Sequence, residues 1–377
     1  MRRALLIGLL LAGCTPAEIV SRDGGAGDAA PRDAGDGEPD AGADAGVDAG
    51  VCEYEPVDSE GEPPGCTVRR PPGRPTCDPG EDQPARWFVL RSVDFHLPRT
   101  EGVDLDGFCT DDPAGPSGCA PPDMDHALDG EEGIDNVFET AFISSFEFVY
   151  RMAYGTSLEV DVNAALARGF RNLAIRVDGW NHEPDDPGLR VEFANTVCGL
   201  PAGDASACPL APPLDPIDFA ATTFHPDEAS FVGGDVDMAV VRDPGAYVSG
   251  GRLVARLAST VDLVFPTSNG TVRLDAQGAV LVADIDPETD VLSGFIAGRW
   301  VETSALQTAE SFGLCVGTSG YDAYRDVVTQ ALDTVASGVG GPAVPCDALS
   351  AVIGFEAVAA TVATEVRPSP ATSDPCP

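Results

Sequence analysis

Between Glu101 and Asn136 the chain places eleven carboxylates and no arginine: Glu101, Asp104, Asp106, Asp111, Asp112, Asp123, Asp125, Asp129, Glu131, Glu132 and Asp135. Asp104-Leu105-Asp106-Gly107 and Asp123-Met124-Asp125 set acids two residues apart. That spacing lets several oxygens converge on one hard cation, which takes about six to eight of them. Calcium is the cofactor this chemistry implies, with Asp104, Asp106, Asp123, Asp125, Asp129 and Asp135 as its ligands. The segment is no EF-hand: a loop begun at Asp125 has Ala127 at its third position and Asn136 at the last, where Glu is wanted. The plainer reading is a solvated acidic loop whose Asp residues cap turns, with Asp135-Asn136 as an N-cap signal before an apolar run.

The histidines give weaker signals. Asn181-His182-Glu183-Pro184-Asp185-Asp186 and Phe224-His225-Pro226-Asp227-Glu228 read as polar turns. With their carboxylates they offer a zinc site or a general base, the chemistry of a surface hydrolase. No HExxH, G-x-S-x-G, P-loop or G-x-G-x-x-G after a strand accompanies them, so no catalytic residue is assigned.

Eleven cysteines, a formal charge of -39 and the absence of lysine narrow the setting. Nucleic acid is excluded as a partner, because phosphate binding needs clustered basic residues. Met1-Arg2-Arg3 followed by the apolar Ala4 to Leu11 reads as a signal peptide, the run being too short to span a bilayer. Leu11-Ala12-Gly13-Cys14 resembles the lipobox of bacterial lipoproteins. That resemblance implies a diacylated Cys14 as mature N-terminus, holding the chain on a membrane at ~0.8 kcal/mol per buried methylene. Thr15, rather than the Asp that in that family commonly retains a protein at the inner membrane, points to the outer membrane. Ten cysteines remain for disulfides in an oxidising compartment. Spacing pairs Cys109 with Cys119, Cys198 with Cys208 and Cys315 with Cys346. Cys52, Cys66, Cys77 and Cys376 are left to tie the C-terminus to the start of the folded region.

These readings divide the chain into a signal peptide (1–13), a lipidated tether (14–51), a Pro/Gly/Cys-rich lead-in (52–85), a globular domain (86–367) and a tail (368–377). Asp33-Ala34-Gly35, Asp40-Ala41-Gly42, Asp44-Ala45-Gly46 and Asp48-Ala49-Gly50 cannot fill a core and repel one another, which predicts a disordered spacer. Strand patterns fall over 87–95, 174–178, 190–194, 236–242, 252–257, 261–265, 271–274 and 279–284, with Asn269-Gly270 and Gln277-Gly278 as turns. The pattern predicts a mainly β fold, an antiparallel β-sandwich or jelly roll with a few short helices. Helices are predicted over 134–145, from an Asp161 cap to Arg168, over 303–311 and over 321–336.

Gly102-Val103-Asp104-Leu105-Asp106-Gly107, Gly133-Ile134-Asp135-Asn136, Gly298-Arg299-Trp300, Cys346-Asp347-Ala348-Leu349-Ser350 and Ile353-Gly354-Phe355 resemble a pattern of uncharacterised secreted lipoproteins of myxobacteria. In that group an Asp-Ala-Gly tether after the lipobox is common, and no activity comes with the likeness. Together these readings imply an outer-membrane-anchored surface module that binds a glycan or another envelope component. The alternatives are a metal-assisted surface hydrolase and a non-catalytic structural envelope protein.

Overall fold

The computed structural model describes residues 52–56, 68–77, 80–110, 117–123, 128–209, 213–369 and 375–376. The signal peptide, the tether, Cys14, Cys66 and Asp125 lie outside them.

Eight strands close into an antiparallel barrel: β1 (Arg86–Asp94), β2 (Leu173–Asp178), β3 (Asp186–Pro201), β5 (Val241–Ser249), β6 (Arg252–Leu257), β8 (Thr271–Asp286), β9 (Val291–Val301) and β10 (Ala348–Ala359). Their order around the barrel is β1-β2-β3-β5-β6-β8-β9-β10, and β10 returns to β1. The closing contact is β3 with β5, Glu192 opposite Arg242 and Phe193 opposite Val241. A sandwich or jelly roll is thereby replaced by a barrel, which leaves no open edge in this ring. Three strands lie outside it: β4 (Thr222–Pro226) on the far half of β3, β7 (Val261–Pro266) on the near half of β8, and β11 (Thr361–Val362) beside β4.

Alternation along the strands sorts side chains to the two faces. Phe88 and Leu90 join the main core while Val89 packs with Ala174 and Phe224 on the outside. Ile296 and Ile353 point in, whereas Ala297 and Val352 pack outward beneath Leu97, Val103 and Leu105. The acidic segment therefore rests on the outer face of β9 and β10, seated by Val103 and Leu105 beside the preceding Leu97.

Gln277-Gly278 is not a turn. It is a bulge inside the 16-residue β8, where the register against β9 shifts between Gln277 and Val280. There β8 leaves β7 for β6 as its neighbour, which needs an irregularity. Gly278 takes φ +57°, and a Cβ on it would stand 2.6 Å from Arg299 Nη1. Asn269-Gly270 does belong to the β7–β8 turn. The strand expected over 236–242 is displaced: β5 begins at Val241 and runs to Ser249.

Among the described residues four α-helices accompany the barrel: α1 (Ser144–Tyr154), α2 (Leu158–Leu166), α3 (Glu302–Ser311) and α4 (Ser319–Gln330). A π-helical turn, Phe138–Ile143, leads into α1. Ser157, not Asp161, caps α2 by accepting the Val160 N–H, and Asp161 instead accepts from Tyr150 Oη. Asp135 and Asn136 cap nothing, since the turn at Val137 has no side-chain cap. Phe138, Phe142, Phe146, Trp300, Phe312 and Tyr324 form one aromatic cluster, with Phe142 edge-on to Trp300 at 5.0 Å. Trp300 is fully buried and donates its indole N–H to Ser304 Oγ. Trp300→Ala is expected to cost about 3–5 kcal/mol in urea unfolding, through lost burial and the cavity left.

The described disulfides are Cys52–Cys77, Cys119–Cys346, Cys198–Cys208 and Cys315–Cys376. Cys198–Cys208 follows the spacing rule. The other pairings do not: Cys109 is disulfide-bonded but not to Cys119, Cys346 not to Cys315, and Cys376 is fixed to Cys315 rather than to the lead-in. Among the described residues no helix is long and apolar enough to cross a membrane.

Candidate functional site

Three of the expected cation ligands meet. One carboxylate oxygen each from Asp104, Asp106 and Asp135 lie within 4.8 Å of one another. Local turn chemistry brings them there. Asp104 Oδ1 accepts the N–H groups of Asp106 and Gly107 at 2.9 and 2.7 Å, and Asp106 Oδ1 accepts that of Phe108 at 2.9 Å. Asp135 Oδ2 accepts the Leu105 N–H at 2.6 Å, tying the two ends of the acidic segment together. Asp129 adjoins this group, holding the Thr110 N–H and facing Asp106 and Asp135. Asp123 is not among the three that converge.

A fifth carboxylate, Asp333, comes from beyond α4. It accepts from the backbone N–H and the hydroxyl of Ser350 on β10, and it faces Asp106, Asp129 and Asp135. Its signal in the sequence was a lone acid inside the buried run Ala331-Leu332-Asp333-Thr334-Val335. The Cys119–Cys346 disulfide lies alongside, with Cys119 Sγ 3.2 Å from the Asp333 carbonyl oxygen.

Electrostatics make this cluster unusual. Burial pushes Asp106 and Asp333 up to about 7 and Asp129 up to about 8, with neighbouring carboxylates adding to the rise in Asp106 and Asp129. Asp104 is raised by burial, and Asp135 stands well above the usual carboxylate range through burial and then Asp106 and Asp129. Arg299 lies in a slot between Gly278 and Gly338 and donates to the Leu105 carbonyl. Arg99 acts on Asp333 and Arg70 on Asp104. Only when all five carboxylates are ionised do the three guanidiniums leave two negative charges, which one divalent cation would balance.

A second feature lies on the barrel flank. A cleft of about 1060 Å³ opens between β3, β7 and α3, lined by Asn195, Thr196, Ser230, Asp262, Asn269 and Gln307 among others. Arg273 holds Asp262 by two parallel bonds of 2.9 and 2.7 Å, and Asn195 Nδ2 donates to the Asp262 carbonyl oxygen. These polar groups share the lining with apolar ones, among them Phe170, Leu173, Phe193 and Val264. No histidine lines the cleft.

His182 and His225 take no part in either feature. His182 is exposed at φ +67° and lies tilted against Trp180, while His225 is buried on β4 opposite Cys198. Neither joins a three-residue ligand group among the described residues.

No protein-family model, no curated protein and no solved structure matches this chain. Its functional reading therefore rests on its own geometry.

Proposed function

We propose that the chain is an exported, lipid-anchored surface module that binds a glycan or a similar polyhydroxylated envelope component in the flank cleft. The observation that carries this reading is the cleft itself. Its volume suits a few sugar rings. Its wall of amide, hydroxyl and Arg–Asp groups can donate to and accept from neighbouring hydroxyls at once. Anchoring rests on the lipobox-like Cys14 and the acidic tether, and the disulfides suit an oxidising compartment.

The test is a panel of purified envelope glycans presented to the soluble chain from residue 52. At least one class should be retained and should be displaced by its own soluble oligosaccharide. Retention of none would overturn the reading.

Within this module the aspartate cluster holds one calcium ion as a structural cofactor. Asp104, Asp106 and Asp135 supply the nearest oxygens, with Asp129 and Asp333 around them. The ion would cancel the excess negative charge and pin the acidic segment against β9 and β10.

A further inference from the structure

We propose that Asp94, His96 and Glu159 form a separate, surface site for zinc. Asp94 ends β1, His96 follows two residues on, and Glu159 lies in the first turn of α2. One imidazole nitrogen and one oxygen from each carboxylate lie within 4.8 Å of one another. His96 Nδ1 stands 3.1 Å from Glu159 Oε2. Two ligands each about 2.1 Å from a tetrahedral zinc stand about 3.4 Å apart, so this pair need open only slightly to admit the ion.

The two carboxylates are already oriented. Glu159 Oε2 accepts the Phe95 N–H and Asp94 Oδ1 accepts the His96 N–H, each at 2.8 Å. Such bonds from a strand end and a helix fix the ligands as an outer shell does in built metal sites. Asp94 and His96 are exposed, so an ion has a direct path in.

The donor set decides the metal. An imidazole nitrogen beside two carboxylates suits zinc, whereas calcium and magnesium take oxygen alone. Two carboxylates and a neutral ring carry two negative charges, which one divalent ion balances. In the bound form the ring's proton sits on Nε2, and the Nδ1 lone pair goes to the metal in place of its contact with Glu159. Three ligands from one side leave a fourth position to water, the arrangement of an open site.

The test is calorimetric titration of the chain with Zn²⁺ in excess Ca²⁺, repeated with Co²⁺ and visible absorption. One ion per chain is expected. His96→Gln should abolish binding, Glu159→Gln should weaken it by more than the roughly 10–100-fold lost with an outer-shell partner, and Asp106→Asn should leave it unchanged. His96 is exposed, so its variant should melt like the parent chain. No zinc binding, zinc retained by His96→Gln, or zinc lost on Asp106→Asn would each overturn the proposal.

Discussion

Stripped of divalent ions, the protein is expected to lose stability as pH rises from about 4 to about 8, and calcium is expected to restore it. Asp106, Asp129 and Asp333 have folded-state values near 7 or 8, raised from an ordinary carboxylate value near 4. A raised folded value means that the folded state holds its protons more tightly than the unfolded chain does. That advantage is complete below about pH 4 and is lost as pH passes through 7 and 8. One unit is worth about 1.36 kcal/mol, but the five acids share protons as a group. The loss for the whole cluster is on the order of 5 kcal/mol, roughly 10 °C or more in melting temperature for a domain of this size. Calcium replaces the missing protons, so with saturating calcium the melting curve should be nearly flat between pH 5 and 8. Asp106→Asn should flatten the metal-free curve and remove the calcium response. A slope that calcium does not change would mean that protons alone occupy the cluster.

Removing the Cys119–Cys346 bond, as Cys119→Ala with Cys346→Ala, is expected to be the most damaging disulfide deletion among those described. It closes a loop with a separation of 227 residues, against 10 for Cys198–Cys208. Chain entropy puts the two at about 5 and about 3 kcal/mol in urea unfolding. The larger deletion has a second consequence, because the bond fastens the acidic segment beside Asp333. The variant should also bind calcium more weakly, whereas Cys198→Ala with Cys208→Ala should leave calcium binding unchanged. Equal losses from both deletions would contradict this placement.

Where one strand face is wet, the fold could be read from the sequence. β6, Arg252–Leu257, exposes Arg252 and Arg256 and follows two glycines, and its expected bounds hold. β9 and β10 escaped notice because they have almost no wet face: Val352 and Ala297 are covered by Leu97, Val103 and Leu105. Ala348–Ala359 is buried almost throughout, so it lacks the alternation that marks a half-exposed strand. Closure itself depends on β3 meeting β5, a pairing that turns and periodicity do not specify. The same long-range neighbourhood defeats the spacing rule for cysteines, which succeeds only where β3 runs into a short loop at Cys198–Cys208.

The aspartate site was half legible. Asp104 and Asp106 converge because the Asp-x-Asp-Gly turn folds back on its own backbone, and Asp135 joins them by accepting the Leu105 N–H. Asp333 arrives from some two hundred residues away through β10, and Arg299 through the β8 bulge, so neither could be read locally. His96 gave no motif, because its partner Glu159 sits on a helix that docks against β1 only in the folded chain.

The most direct measurement of the central claim is retention on envelope glycans by the parent chain beside one with its cleft filled. Gln307 is exposed on α3, lines the cleft and makes no hydrogen bond within the described residues. Gln307→Trp, combined with Thr260→Trp at a second exposed position of the lining, should leave the melting temperature unchanged and reduce retention of the bound glycan at least about tenfold, which corresponds to about 1.4 kcal/mol. Equal retention by the filled and open chains would contradict the cleft as the binding site.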